Sequence, residues 1–183
     1  MKLTVAANPT GIDIVSLADM KEFLRVDHSD EDTTISAILA SAAIAVQDYT
    51  GRVLINTTYT LNLDSFYNVE LPGGINSVTG VTYYDTTKTS VTLPTTKYYY
   101  DALREPARIS FIDPPSTYVE MYNSVTIVGA IGEQAIPTLK HAIKMLAAHY
   151  YENRRAVIVG VKASKIPFGI EAILNPYRII SLV

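Results

Sequence analysis

Cysteine is absent from the 183 residues. That excludes a disulfide framework, a thiolate zinc site and a cysteine nucleophile. Tryptophan is absent too, and there are only 3 histidines. Charged residues make up 18% of the chain, against roughly 25% in an average soluble domain. A surface so poor in charge implies that part of it is covered by a partner. The balance of charge is slightly acidic, with a net −3 and a pI of about 5.6. A sequence-independent nucleic-acid binder would instead show a concentrated basic face. No stretch reaches the roughly 18 continuous apolar residues of a membrane span. The N-terminus, MKLTVAANPTG, carries one lysine and no apolar run of signal-peptide length. The sequence thus reads as a soluble, cytosolic chain without a membrane partner.

What is present is apolar and aromatic. Hydrophobic residues account for 48%, enough for a sizeable core. Tyrosine outnumbers phenylalanine 13 to 4. Tyrosine suits protein interfaces, where one end of the ring packs and the other stays wet. It equally suits the half-buried face of a β-sheet.

Hydrophobic periodicity divides the chain. Residues 1–15 read as an extended arm, broken by Pro9 and Gly11. Ser16 can cap a short helix, with Asp19 three residues on, and Leu17, Met20, Phe23 and Leu24 share its apolar face. The acidic run Asp27–Asp32 is expected to start the next helix by satisfying its free N–H groups. Ile35, Leu39, Ala42, Val46 and Tyr49 then form one stripe, closed by Gly51 as the C-terminal cap. From Val53 the period shortens to two. Strands are predicted at 57–64, 69–71, 78–84, 91–93, 98–100, 108–112 and 124–128, with turns at Pro72–Gly74 and Asp85–Lys88. Gly129 and Gly132 are expected to end the β region. Pro137 opens a second long helix to about Arg154, striped by Leu139, Ile143, Leu146 and Tyr150. Residues 156–166 are apolar with two lysines and no helical period. Pro167 precedes a last short helix interrupted by Pro176.

The fold class that follows is α+β: a helical bundle from the N- and C-terminal helices, with an inserted antiparallel β meander or small sandwich. The expected division is 1–52 for the N-terminal helical part, 53–130 for the β insert and 131–183 for the closing helix and tail. All three form one structural domain.

Candidate chemistry is sparse. His141 and His149 lie eight apart on one helix, with Glu152 three further on. H-x-x-E can contribute to a metal site but lacks the further convergent ligands a site needs. These three residues are the core of the alternative reading, a metal-dependent enzyme or a small cellular binding module. The carboxylates at 27–32 have the wrong spacing for a calcium loop, and the required glycine is missing. There is no G-x-S-x-G elbow, P-loop or G-x-G-x-x-G. No catalytic, cofactor-binding or metal-ligating residue is assigned, and no cofactor is expected. Arg154, Arg155, Lys162 and Lys165 form the densest basic cluster. It fits a helix end running into a solvated loop, a docking segment for an acidic protein surface, or nucleic-acid contact.

Four stretches, in order, resemble one family. They are SLADMKEFLRVDHSDEDTTISAILASAAIAVQDYTGRVLI, VELPGGINSVTGVTYYD, IPTLKHAIKMLAAHYYENRRA and LNPYR. The first holds a helix ending in L-R-V-D, an acidic stretch and a long alanine-rich helix closing at Y-T-G-R. The third opens at a proline and ends at Y-E-x-R. Together they resemble the head–tail connector proteins (adaptor or head-completion proteins) of long-tailed bacteriophages. The chain lacks the tryptophan common in that family shortly after T-G-R; Tyr59 is the nearby aromatic.

The resemblance implies a structural virion protein and not an enzyme. It implies a homo-oligomeric ring of about a dozen copies with heterologous contacts. The ring would sit beneath the portal protein in the virion neck, at the head–tail interface, after assembly in the host cytoplasm. It would extend the DNA channel without sequence-specific binding, complete the head and present a face to a tail-side neck or tail-completion protein. Arg154, Arg155, Lys162, Lys165, Ile166, Phe168, Tyr177 and Arg178 are the candidate docking residues, toward the portal or a neighbouring copy.

Overall fold

The computed structural model describes residues 2–5, 13–71, 75–103, 106–117, 122–132, 136–153 and 167–179. The predicted turn at Pro72–Gly74 and the segment 156–166 lie outside them. The chain divides into two compact units. One comprises Met1–Ala7, Asn56–Glu133 and Ile179–Val183; the other comprises Asn8–Ile55 and Gln134–Arg178.

The helical unit begins with α1 (Leu17–Leu24), whose Ser16 hydroxyl accepts the Asp19 N–H at 3.1 Å. Arg25 ends it in the left-handed conformation, φ 59°. The long helix α2 (Asp32–Thr50) closes at Gly51, φ 68°, where the absence of a Cβ removes the steric penalty. Its start differs from expectation. Glu31 occupies the N-cap position without a side-chain capping bond. The acidic run is used laterally instead: Asp32 takes Lys21 Nζ at 2.7 Å, and Glu31 accepts the Tyr151 hydroxyl. A flexible ammonium and a phenol outcompete the local backbone for these carboxylates.

The helix α3 (Pro137–Glu152) opens on Pro137, whose missing N–H costs nothing in the first turn. The helix α4 (Phe168–Leu174) runs into a 3-10 turn at Asn175–Tyr177. The predicted stripes meet. Ile35, Leu39, Ala42 and Val46 from α2 are buried with Leu139, Ile143 and Leu146 from α3, and Met20, Leu54, Ile170 and Leu174 complete the cluster.

Among its described residues the β unit holds eight strands: β1 (Lys2–Val5), β2 (Thr57–Leu63), β3 (Val69–Leu71), β4 (Ile75–Tyr84), β5 (Ser90–Thr92), β6 (Tyr98–Asp101), β7 (Ala107–Phe111) and β8 (Val125–Ile131). They form two antiparallel sheets, ordered β1-β2-β8-β4-β5 and β3-β7-β6. The order is not the sequential one of a meander, because β8 inserts between β2 and β4. The N-terminal arm is the edge strand of the larger sheet, with Val5 opposite Tyr59. As its period-2 pattern requires, β2 buries Tyr59, Leu61 and Leu63. The Asp85 turn holds its loop by one carboxylate oxygen, which accepts the N–H groups of Thr87 and Thr89. Phe66 bridges the sheets, its ring edge-on to Tyr83 of β4 and to Phe111 of β7.

Gly129 does not end the β region. It lies inside β8 opposite both Tyr59 and Val78, and the strand continues to Ile131. Glycine is used here for close approach: a Cβ would stand 2.0 Å from the Ser77 carbonyl oxygen.

Tyr59 is 1% exposed, and among the described residues its buried hydroxyl has no hydrogen-bond partner. Burial first, then the neighbouring Tyr100 and Tyr98 phenols, hold its ionisation above the ordinary value of 10.0. Tyr59→Phe removes the unpaired hydroxyl and is expected to stabilise the protein by about 1 kcal/mol. Above pH 10.0 the unfolded chain releases this proton while the folded chain keeps it, so stability falls as pH rises. The substitution should make that alkaline limb shallower. Tyr98 and Tyr150, also raised by burial, keep the rest of it. Urea unfolding at about pH 8 and about pH 10.5 measures both effects. A destabilised Tyr59→Phe, or an unchanged alkaline limb, would count against this account.

Candidate interaction surface

The two short motifs at the ends of the helical blocks come together. Tyr49 and Arg52 close α2; Asn175, Tyr177 and Arg178 follow α4. The Tyr49 hydroxyl donates to Asn175 Oδ1 at 2.7 Å, and Arg52 Nε donates to the Tyr177 carbonyl at 2.7 Å. The Arg178 guanidinium lies 5.0 Å from the centre of the Tyr49 ring. Gln47 supports the corner by accepting the Leu54 N–H at 2.8 Å. This cluster fastens the 3-10 turn to the C-terminal end of α2. The sequence shows both motifs but not that they bond to each other. Arg52→Ala removes a charged hydrogen bond and is expected to cost about 2 kcal/mol, and Tyr49→Phe about 1. Thermal unfolding of the two variants checks the order; an Arg52→Ala protein as stable as the parent would remove the latch.

Of the candidate docking residues, Arg154, Arg155, Lys162, Lys165 and Ile166 lie outside the described residues, as does the Phe168 side chain. Tyr177 is half-buried against the helical core, and Arg178 is exposed above Tyr49.

The histidines do not converge. Eight residues along a helix separate His141 from His149 by about 12 Å, far beyond the span of two bonds to one metal. His141 is exposed and meets Phe23 edge-on, with ring centres 6.1 Å apart. His149 Nδ1 lies 3.3 Å from Asn153 Nδ2, and Glu152 points to solvent. Among the described residues no three His, Cys, Asp or Glu side chains are grouped to hold a metal.

The concave features are open and weakly polar. A groove of about 470 Å³ runs along α2, lined by Thr34, Ala37, Ile38 and Ser41, with Tyr150 and Asn153 from α3. A smaller cleft in the β unit is lined by Tyr83, Leu93, Pro94 and Pro115 beside the Lys97–Asp113 ion pair, 2.9 Å. The β unit also exposes large apolar side chains, Leu103 at 99% and Tyr122 at 83%. Exposed apolar groups and grooves without converging titratable groups are features of interaction surfaces.

This α+β fold recurs in chains of three solved structures. One is described as the neck of an empty gene transfer agent particle computed with C6 symmetry, at TM-score 0.76 and 23% identity. A second is the virion of a native gene transfer agent particle, at 0.74 and 21%, and a third the neck of the native particle computed with C12 symmetry, at 0.72 and 22%. Each match covers 100% of this chain and 98% of the other. No curated protein matches. The family model for head completion proteins matches residues 13–180, and the chain belongs to that family.

Proposed function

We propose that this protein is a structural component of a phage-type neck. About a dozen copies would form a ring between the portal and the tail, extending the DNA channel and completing the filled head. The observation that carries this reading is the family match, which runs through both units. The shared fold with chains of gene transfer agent particles, two of the structures being necks computed with C6 and C12 symmetry, supports it. Surface chemistry agrees. Sparse charge and exposed aromatic residues suit broad protein contacts. A protomer of net −3, repeated around a channel, repels phosphates and lets DNA slide. The protein acts by assembly and carries out no chemistry of its own.

The C-terminal segment, with Arg154, Arg155, Lys162, Lys165, Ile166, Phe168, Tyr177 and Arg178, is the docking element toward the portal or a neighbouring copy. Deleting residues 156–183 would be a poor test, since it also removes Ile170 and Leu174 from the helical core. Charge reversal of Arg154, Arg155, Lys162 and Lys165 to Glu is cleaner. It is expected to abolish binding to purified portal rings while the helical signal in circular dichroism stays. Undiminished binding would remove this docking assignment. The ring itself is tested by light scattering over a concentration range, with and without portal rings. A discrete assembly of about a dozen copies is expected, and a chain that stays monomeric in both conditions would overturn the reading.

A further inference from the structure

We infer that the groove along α2 seats the chain's own residues 156–161. This apolar stretch is then used within the protomer, and the segment meets a partner through the charges at its ends, Arg154, Arg155, Lys162 and Lys165. The seat stands by itself; the role of the charged ends rests on the docking reading above.

The helix face comes first. Between Asp32 and Asp48, α2 has no charged residue. A face left to water carries charged or strongly polar groups. This one presents Thr34, Ala37, Ile38 and Ser41, with Tyr150 and Asn153 from α3 as the opposite wall. Ile38, Ser41, Ala45 and Tyr49 follow one another at spacings of three and four, so they lie on one stripe. The upper end of that stripe is already held: Tyr49 is half-buried and donates to Asn175 in the turn after α4. The lower end, from Thr34 to Ser41, is the groove.

The path of the chain selects what fills it. The end of α3 lies beside the start of α2, where the Tyr151 hydroxyl bonds to Glu31, and Asn153 lines the groove itself. Pro167 leads into α4, a helix of about 10 Å, and the Asn175 that follows it is fastened to Tyr49. Residues 154–166 therefore leave from the lower end of the groove and return to α4 on the same side of α2. The groove lies between the two points. Val157, Ile158, Val159 and Val161 are β-branched, which favours extended backbone. Extended, Ala156–Val161 covers about 20 Å, ample for the roughly 10 Å of helix between Thr34 and Ser41. The tether at Asn153 sets an effective concentration on the order of millimolar, far above that of a second copy in dilute solution. Among the described residues no charged side chain lines the groove, so none is stripped of water by an apolar occupant. Arg154 and Arg155 follow Asn153 at the acidic start of α2, where Asp30 and Glu152 are exposed.

The cysteine-free chain makes the test direct. Ser41→Cys and Val159→Cys are combined in the full-length protein, without portal, and treated with a short bismaleimide. The two sites are expected to join within one chain, giving a product of monomer mass whose cross-linked peptides hold residues 41 and 159. Ala37 is exposed in the groove, so Ala37→Glu should evict the segment without unfolding the helices. Trypsin is expected to cut at Arg155 and Lys162 roughly tenfold faster in that variant than in the parent, with the helical circular dichroism signal unchanged. Equal cutting rates would overturn the seat. So would a cross-link found only between chains, which gives the groove to a neighbouring copy. A seat that holds while charge reversal at 154, 155, 162 and 165 leaves portal binding intact would overturn the role of the charged ends alone.

Discussion

Gly129→Ala is expected to cost about 3 kcal/mol or more, the upper end of what overpacking does. The added Cβ would stand 2.0 Å from the Ser77 carbonyl oxygen and 2.8 Å from Tyr59 Cε1. The first of these neighbours is backbone within β4, hydrogen-bonded to β8 itself, so it cannot retreat without opening the ladder. Tyr59 is also confined, being 1% exposed and paired through β2 to the same stretch of β8. Both sides of the central strand would have to move. Close-packed interiors transmit such strain. The control is Gly80→Ala in β4, where nothing lies within 4 Å of an added Cβ, and its cost should be no more than about 1 kcal/mol. Urea unfolding of the two variants separates them. Equal stabilities would show that β8 tolerates a side chain at 129.

Where local pattern and tertiary role coincide, the sequence was readable. The 4-3 stripe Ile35-Leu39-Ala42-Val46 is buried along α2, and Tyr59-Leu61-Leu63 alternate inward along β2. Pro137 and Gly51 mark helix ends because each has a backbone reason to be there. Three features escaped for one reason: their cause is distant in sequence. Gly129 reads as a terminator, yet its smallness serves Ser77, 52 positions earlier, in a strand that pairs beside it. The acidic run reads as a cap, yet Glu31 and Asp32 serve Tyr151 and Lys21. The extended arm gives no hint of its partner, since edge pairing is set by backbone and not by a side-chain pattern.

The interaction surface was legible in part. The Y-T-G-R and L-N-P-Y-R stretches stand out as motifs, but only the fold shows Tyr49 bonded to Asn175 and Arg52 to the Tyr177 carbonyl. The α2 groove leaves a subtler trace, the missing charge between Asp32 and Asp48. Periodicity draws the eye to the apolar stripe and away from the opposite face, whose small uncharged residues carry equal information. The H-x-x-E spacing at His149 and Glu152 proved uninformative, because His141 faces Phe23 and not the other two.

The two sides of α2 should respond oppositely to truncation. Leu39→Ala is expected to destabilise the protein by about 4 kcal/mol, within the range for emptying a well-packed core. Leu39 is fully buried at the centre of the cluster shared by α2 and α3, and its neighbours one turn away are Ile35, Ala42 and Ala43. The two alanines have no reach with which to fill the void, so relaxation recovers little. Ile44, five residues on, is 40% exposed on the outer face. Ile44→Ala should change the stability of the unassembled protein by less than about 1 kcal/mol, yet it removes the largest apolar group from the uncharged face and should weaken assembly. Urea unfolding of both variants, set beside the mass of the assembled species, resolves the two roles. A Leu39→Ala protein as stable as the parent would mean that α2 is not held by this core. An Ile44→Ala protein that assembles normally would show that the uncharged face of α2 is not needed for assembly.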